Sequence, residues 1–173
     1  KNGIEYKALE MACDDMHISP ERLMLNMGGI EGPKALHLSR FLFEHFPRGV
    51  AFPKIDMPAA SFELPVANVN AFSIDDITTT EIDDAFSVTS MPDGRIRIGV
   101  HIAAPGLGIR PGDPLDEIAR KRLSTVYMPG DKITMLPDEL VSRFTLSAGE
   151  NRPALSLYAI VDPQDWSVIR TET

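Results

Sequence analysis

The sequence predicts an α+β fold, in which a small helical segment precedes a mixed β-sheet with packed helices. Residues 1–46 carry clear helix starts and stops; Ser19-Pro20-Glu21 is one start and Gly28-Gly29 the stop that follows it. Residues 47–66 contain four prolines and little periodicity, which is typical of an extended linker. From residue 67 onward, runs rich in β-branched residues alternate with turn signals, which indicates strands.

The helical segment, residues 1–46, has two interpretations. Pro33 begins a third helical stretch, and Pro47 ends it. Short helices joined by tight Gly and Pro turns suit a helix-turn-helix module. They equally suit a helical lead-in that packs on the domain that follows, which we favour.

Two hairpins and a helix are expected in residues 67–173. Pro92-Asp93-Gly94 separates strands at 85–89 and 95–102, and residues 162–165 separate strands at 154–161 and 166–170. Asp113 as N-cap and Pro114 at the first position predict a helix between the hairpins. Its buried stripe is expected at Leu115, Ile118, Ala119, Leu123 and Val126.

Composition limits the class of protein. The 173 residues suit one domain with an appendage, and 43% apolar residues can form a core. No run is apolar and long enough to span a bilayer, and the single Cys13 cannot form an internal disulfide. We therefore expect a cytoplasmic protein with no membrane association and no disulfide-linked partner. The net charge of −8 is unusual for a nucleic-acid binder, but five of the negative charges fall in one stretch.

That stretch, residues 72–87, contains Asp75, Asp76, Glu81, Asp83 and Asp84 and no Lys or Arg. Like charges so close raise one another's pKa, and apolar neighbours indicate a half-buried framework. Carboxylates held in this way suit a hard divalent cation. The stretch lacks the glycine of a calcium loop, which favours magnesium. A surface acidic loop with helix N-caps is the alternative.

The spacing Asp75-x5-Glu81-x-Asp83-Asp84-Ala85 resembles the signature of the RNB family, the catalytic domain of exoribonuclease II and exoribonuclease R. Further blocks resemble the family's in the same order, across about residues 70–160: Val100-His101-Ile102-Ala103, Gly112-Asp113-Pro114-Leu115-Asp116, Arg122-Leu123-Ser124-Thr125-Val126-Tyr127-Met128-Pro129, Met135-Leu136-Pro137 and Leu146-Ser147-x-x-Glu150-x-Arg152-Pro153-Ala154. An ordered series of motifs is far more specific than one motif.

The resemblance implies a magnesium-dependent 3′→5′ exoribonuclease that hydrolyses single-stranded RNA processively to nucleoside 5′-monophosphates, with Mn²⁺ as a possible substitute. Asp75 and Asp84 would be direct metal ligands, and Asp83 would hold a metal or the attacking water. Glu81 stands where the family most often has Asp, so it would bind the metal through water or at a shifted position.

Two more residues take expected roles from the resemblance or from charge. Tyr127 matches a tyrosine that stacks on RNA near the cleaved end, and Arg122, in a basic cluster at the end of the predicted helix, is a candidate contact to the RNA backbone. His101 is expected to be a hydrogen-bonded structural histidine. Ala104 replaces an Asp that is common in the family.

The resemblance also implies that residues 67–173 are the N-terminal part of an RNB catalytic domain. The remaining half of that domain would be needed for a complete site, so we expect a fragment with little activity of its own. A non-catalytic RNA-binding member of the same fold is the first alternative. A divalent-ion-binding module with no nucleic-acid role is the second.

Overall fold

The computed structural model describes residues 3–57 and 63–173. The first two residues of the predicted helical segment and residues 58–62 of the predicted linker lie outside the described residues. The chain forms two units, residues 1–51 and 52–173. The division between the two units falls inside the predicted linker, 47–66. The predicted segment boundaries, 1–46, 47–66 and 67–173, stay predictions.

The first unit consists of three helices, as residues 1–46 predict. Their bounds are α1 (Ile4–Met16), α2 (Pro20–Asn26) and α3 (Pro33–His45). The Ser19 hydroxyl accepts a hydrogen bond from the Arg22 N–H at 3.2 Å, which confirms the predicted cap of α2. Cys13 and Leu23 are buried. Within the described residues, no helix combines the length and the apolar character that crossing a bilayer requires.

The second unit is built on β-strands, whose bounds are β1 (Ala71–Phe72), β2 (Asp84–Ser90), β3 (Ile96–Ala103), β4 (Val126–Met128), β5 (Asp131–Ile133), β6 (Ala154–Val161) and β7 (Val168–Glu172). Strands β4 and β5 form a separate hairpin, and the other five form one sheet in the order β1-β2-β3-β6-β7. The α+β class and both predicted hairpins are confirmed. Each described strand pair is antiparallel, whereas a mixed sheet was expected.

The second unit also contains two helices, α4 (Pro114–Arg122) and α5 (Asp138–Phe144). Their buried side chains form one apolar cluster with the segment between them: Leu115, Leu136, Leu140 and Phe144. The predicted stripe of α4 is wrong at Leu123 and Val126, because the helix ends at Arg122 and Val126 lies in β4. Leu123 adopts a left-handed backbone with φ 66° and is 79% exposed.

The two faces of the sheet differ in burial, because alternate residues of a strand point to opposite faces. One face buries Ser87, Gly99, His101 and Tyr158. The other face leaves large apolar side chains exposed, among them Val88, Ile102, Leu155 and Leu157.

Candidate metal centre

Asp83 and Asp84 lie where the acidic stretch enters the sheet. Asp84 is the first residue of β2 and pairs with Ile102 of β3. The Asp83 carbonyl oxygen accepts a hydrogen bond of 2.8 Å from the Ala103 N–H at the end of β3. The backbone that carries both carboxylates is therefore fixed by a central hairpin.

Ile82, between Glu81 and Asp83, is held by the segment that follows α5. Its N–H donates to the Thr145 hydroxyl at 2.7 Å, and its carbonyl oxygen accepts from the Leu146 N–H at 2.9 Å. Both backbone polar groups of Ile82 are thus satisfied by residues more than sixty positions away in sequence. This pairing fixes the backbone on the N-terminal side of Asp83.

Asp76 has a local role that the sequence did not reveal. Its carboxylate accepts hydrogen bonds from the Thr78 N–H at 3.2 Å and the Thr78 hydroxyl at 3.3 Å. The Asp76 carbonyl also accepts from the Thr79 N–H at 2.9 Å. Asp76 therefore closes a turn in the loop that leads from Asp75 to Glu81, as Asp side chains often do.

The predicted acids influence one another electrostatically at Asp83. Burial first, and then the negative charges of Glu81, Asp84 and Asp75, raise the pKa of the Asp83 carboxyl group. Three of the predicted site residues thus act on the fourth. Neighbouring negative charges disfavour the ionised form of a carboxyl group, so its pKa rises.

The carboxylates fit a magnesium ion by their chemistry, since hard cations take oxygen ligands. Within residues 3–57 and 63–173, however, no group of three His, Cys, Asp or Glu side chains is arranged to hold a metal ion. The fold gathers Asp75, Asp83 and Asp84 in one region without converging them on a point. The predicted metal roles of these residues and of Glu81 stay predictions.

Glu81 has a partner that the sequence did not predict. Its carboxylate forms an ion pair with the Lys132 ammonium group on β5. Tyr127 lies opposite Lys132 in the β4–β5 hairpin. Burial first, and then the charges of Glu81 and Asp83, raise the pKa of the Tyr127 hydroxyl.

The sequence held a weak signal for this hairpin. Pro129-Gly130 separates two short extended segments, which is a turn pattern, and it places Tyr127 and Lys132 opposite each other. An open cleft of about 620 Å³ lies beside the hairpin. Its lining residues are Thr78, Thr79, Thr80, Glu81, Tyr127, Asp131 and Lys132.

The two predicted RNA contacts differ in their surroundings. The Tyr127 ring is 67% exposed and can receive a stacked base. The Arg122 guanidinium donates to the Thr134 carbonyl oxygen at 2.7 Å and lies 3.8 Å from the ring centre of Phe52. Arg122 is therefore held within the domain, and its contact with RNA stays a prediction.

His101 is a buried structural histidine, as the sequence predicts. Its Nε2 lies 2.9 Å from the Ser87 hydroxyl and its Nδ1 lies 2.8 Å from the Ser156 hydroxyl. Burial first, and then the charge of Arg97, lower the pKa of His101. Ala104, the other departure from the expected pattern, contributes its N–H to the Pro153 carbonyl oxygen at 3.3 Å.

The second unit thus combines an antiparallel sheet with two adjacent carboxylates at the entry of one strand. The RNB domain family model matches residues 65–172. The chain therefore belongs to the RNB domain family.

Individual proteins agree with this assignment. Exoribonuclease 2 of Escherichia fergusonii is 39% identical over 111 residues, which cover 64% of this chain and 17% of that protein. A structure of yeast Ssd1, described as a pseudonuclease, superposes with a TM-score of 0.55 at 26% identity and covers 60% of this chain and 13% of that one. RNase R of Mycoplasma genitalium, in complex with ribose-methylated single-stranded RNA, gives a TM-score of 0.57 at 22% identity over 62% of this chain and 17% of that one. The chain spans about a sixth of the length of the curated relatives it matches, 16% and 17% for two of them.

Proposed function

We propose that this chain supplies the acidic part of the active site of a magnesium-dependent 3′→5′ exoribonuclease, which hydrolyses single-stranded RNA processively to nucleoside 5′-monophosphates. The observation that carries the proposal is the placement of Asp83 and Asp84 at the entry of β2, on a backbone that the Ala103 N–H and the Thr145 hydroxyl hold in place. Similarity to exoribonuclease 2 of Escherichia fergusonii supports the reaction class, of the RNase II/R type.

The proposed roles are those that the family resemblance implies. Asp75 and Asp84 would hold a magnesium ion, for which manganese can substitute, and Asp83 would bind the ion or orient the attacking water. When bound, such an ion lowers the pKa of a water ligand and neutralises charge on the phosphate oxygens. The fixed backbone on both sides of Asp83 keeps its carboxylate in register with Asp84. Glu81 is the fourth acid of the set.

Tyr127 and Arg122 would contact the RNA. The exposed ring of Tyr127 offers a stacking surface, and stacking contributes about 1–3 kcal/mol per base without regard to sequence. Arg122 would reach phosphate only if it exchanged its contact with the Thr134 carbonyl oxygen. Single-stranded RNA is the proposed substrate, which the complex of Mycoplasma genitalium RNase R with such RNA supports.

The chain would need further polypeptide to form a complete site. The relatives are about six times as long as the matched segment, and one face of the sheet exposes Val88, Ile102, Leu155 and Leu157. Exposed apolar area of this kind marks a surface that another element covers. We propose that the remaining half of the RNB domain does so. A cytoplasmic location is also proposed, and the free, buried Cys13 supports it over a disulfide-forming compartment.

The test is an RNA degradation assay on the intact protein. A 5′-labelled single-stranded RNA and a DNA of the same sequence are incubated with magnesium, with manganese and with EDTA. We expect the RNA, and not the DNA, to shorten from its 3′ end, and only when a metal ion is present. Asp83→Asn is expected to abolish shortening, while Asp76→Asn, the same change at a neighbouring acid with a turn-forming role, retains it. Equal loss in the two variants would contradict the assignment of Asp83.

A second function, RNA binding without catalysis, is favoured by one observation. In the described part of the chain, no three acids are arranged to hold one metal ion. The likeness to the yeast pseudonuclease gives this function a precedent within the fold. RNA that stays intact with both metal ions, but binds with an affinity that falls steeply with salt, would establish it. Absence of salt-dependent RNA binding would instead indicate a module that binds only divalent ions.

A further inference from the structure

We infer that Lys132 is a positioning residue, which holds Glu81 so that this acid fastens Tyr127 beside Asp83 instead of binding a metal ion. The inference deepens the proposed function and rests on it. In this arrangement Glu81 belongs to the RNA-positioning part of the site. Asp75, Asp83 and Asp84 remain the metal-binding part.

The first support is the geometry of the ion pair. Glu81 and Lys132 are 51 positions apart in sequence, so their contact ties the acidic stretch to the β4–β5 hairpin. The Glu81 side chain is only 13% exposed, whereas the Lys132 side chain is 37% exposed. The carboxylate is therefore turned away from water and toward the hairpin. Its neighbours Asp75 and Asp84 are exposed and can meet a solvent-borne cation.

The second support is Tyr127. Tyr127 and Lys132 are directly opposite each other across the hairpin, and Lys132 contacts the Glu81 carboxylate. Because the ion pair with Glu81 fixes Lys132 on β5, and β5 pairs with β4, the position of Glu81 sets the position of the strand that carries Tyr127. Glu81, Tyr127 and Lys132 also line the same open cleft.

The third support is charge. An ammonium group in contact with Glu81 neutralises that carboxylate and repels a divalent cation that approaches it. A metal ion bound to Glu81 would have to displace Lys132, while an ion bound to Asp83 and Asp84 would not. The pair joins two segments that are 51 positions apart in sequence, so we assign its function to the placement of the hairpin.

Shortening the side chain of Glu81 distinguishes metal binding from a positioning role. Glu81→Asp keeps the charge but withdraws the carboxylate by one methylene, which breaks its contact with Lys132. If Glu81 binds the metal ion, this change retains metal affinity, because Asp is an equally good ligand. If Glu81 fastens the hairpin, Glu81→Asp behaves like Glu81→Gln.

The experiment uses the intact protein and measures three quantities: the affinity for Mn²⁺ by calorimetry, the Kd for single-stranded RNA in EDTA, and kcat and KM for hydrolysis. We expect Glu81→Gln, Glu81→Asp and Lys132→Met each to raise the Kd and KM for RNA by about fivefold or more, the lower range of one lost base stack. Mn²⁺ affinity in the two Glu81 variants should stay within about twofold of the parent, whereas Asp83→Asn should weaken it by about tenfold or more.

Two controls separate placement from general disruption. Lys132→Arg, which can keep the ion pair, is expected to restore the parental Kd. Lys121→Met removes a lysine whose side chain is 79% exposed and should change nothing. The Glu81→Gln, Lys132→Met double variant should bind RNA no more weakly than either single variant, because both changes break the same contact.

The outcomes distinguish this inference from the proposed function. Additive losses in the double variant, or a loss of Mn²⁺ affinity in Glu81→Gln as large as in Asp83→Asn, would overturn the inference even if the protein degrades RNA. If RNA is not degraded but the losses of RNA affinity in the double variant are non-additive, the proposed nuclease function is wrong while the positioning role of Lys132 stands. The two results are independent because the RNA affinities of the single and double variants are measured in EDTA, without catalysis.

Discussion

The hydroxyl group of Thr145 is expected to fix the backbone between Glu81 and Asp83. It accepts the Ile82 N–H at 2.7 Å in a partly buried position. Thr145→Val keeps the β-branched shape and removes the acceptor, so the Ile82 N–H loses its partner while the bond from the Leu146 N–H remains. A donor left unsatisfied away from water costs about 1–3 kcal/mol of folding free energy.

This cost should appear in both stability and metal binding. For a chain of 173 residues, each kcal/mol corresponds to a loss of roughly 2–4 °C in Tm. The unfolding transition can be followed through Trp166, the one tryptophan of the sequence, which lies in the same unit. Mn²⁺ affinity should fall as well, because Ile82 adjoins Asp83.

The matched control is Thr171→Val, which makes the same change at an exposed position on β7. It should leave Tm and Mn²⁺ affinity close to the parent's values. If Thr145→Val leaves both quantities as unchanged as Thr171→Val does, the hydrogen bond to Ile82 does not hold the acidic stretch. The account of why Asp83 and Asp84 stay in register would then be wrong.

Two further predictions concern the buried face of the sheet. Gly99→Ala should lower the free energy of unfolding, measured with denaturant, by about 1–3 kcal/mol, because the added Cβ would overlap the Ser87 hydroxyl and lie 2.9 Å from both His101 and Tyr158. The control is Gly106→Ala, which should cost much less because nothing lies within 4 Å of its added Cβ. Equal losses in the two variants would contradict the packing described for Gly99. Since burial lowers the pKa of His101, the unfolded chain binds the proton more readily, so stability should fall as the pH drops through about 6.5 and level off below the folded-state pKa. His101→Gln should flatten that part of the stability-against-pH curve, and an unchanged slope would show that His101 does not cause it.

The parts of the fold that follow from local chemistry could be read from the sequence. The turn at Pro92-Asp93-Gly94 is encoded by its own residues, and Gly94 takes the left-handed φ of 85° that such a turn uses. The caps of α2 and α4 are likewise positions with strong preferences, although the Asp113 side chain makes no capping hydrogen bond. Local signals of this kind need no knowledge of the rest of the chain.

Features that depend on distant contacts could not be read in this way. The expected mixed sheet would need a parallel strand pair, but β6 returns antiparallel to β3 after an excursion of fifty residues that no local pattern constrains. The stripe of α4 failed at Leu123 for a related reason. Apolar periodicity continued past the point where the backbone left the helix, and only the backbone reveals that Leu123 is exposed.

The acidic stretch shows the same limit at the level of function. Spacing and charge identified Asp75, Glu81, Asp83 and Asp84 as one set, since every member is a carboxylate that could bind the same ion. The structure separates them by their partners, because within residues 3–57 and 63–173 Glu81 is the member of the set that forms an ion pair, with Lys132. An acid that is paired with a lysine and an acid whose pKa its neighbours raise differ in chemistry, although both are carboxylates in the sequence. Assigning a metal ligand therefore requires the partner of each acid as well as its type and spacing.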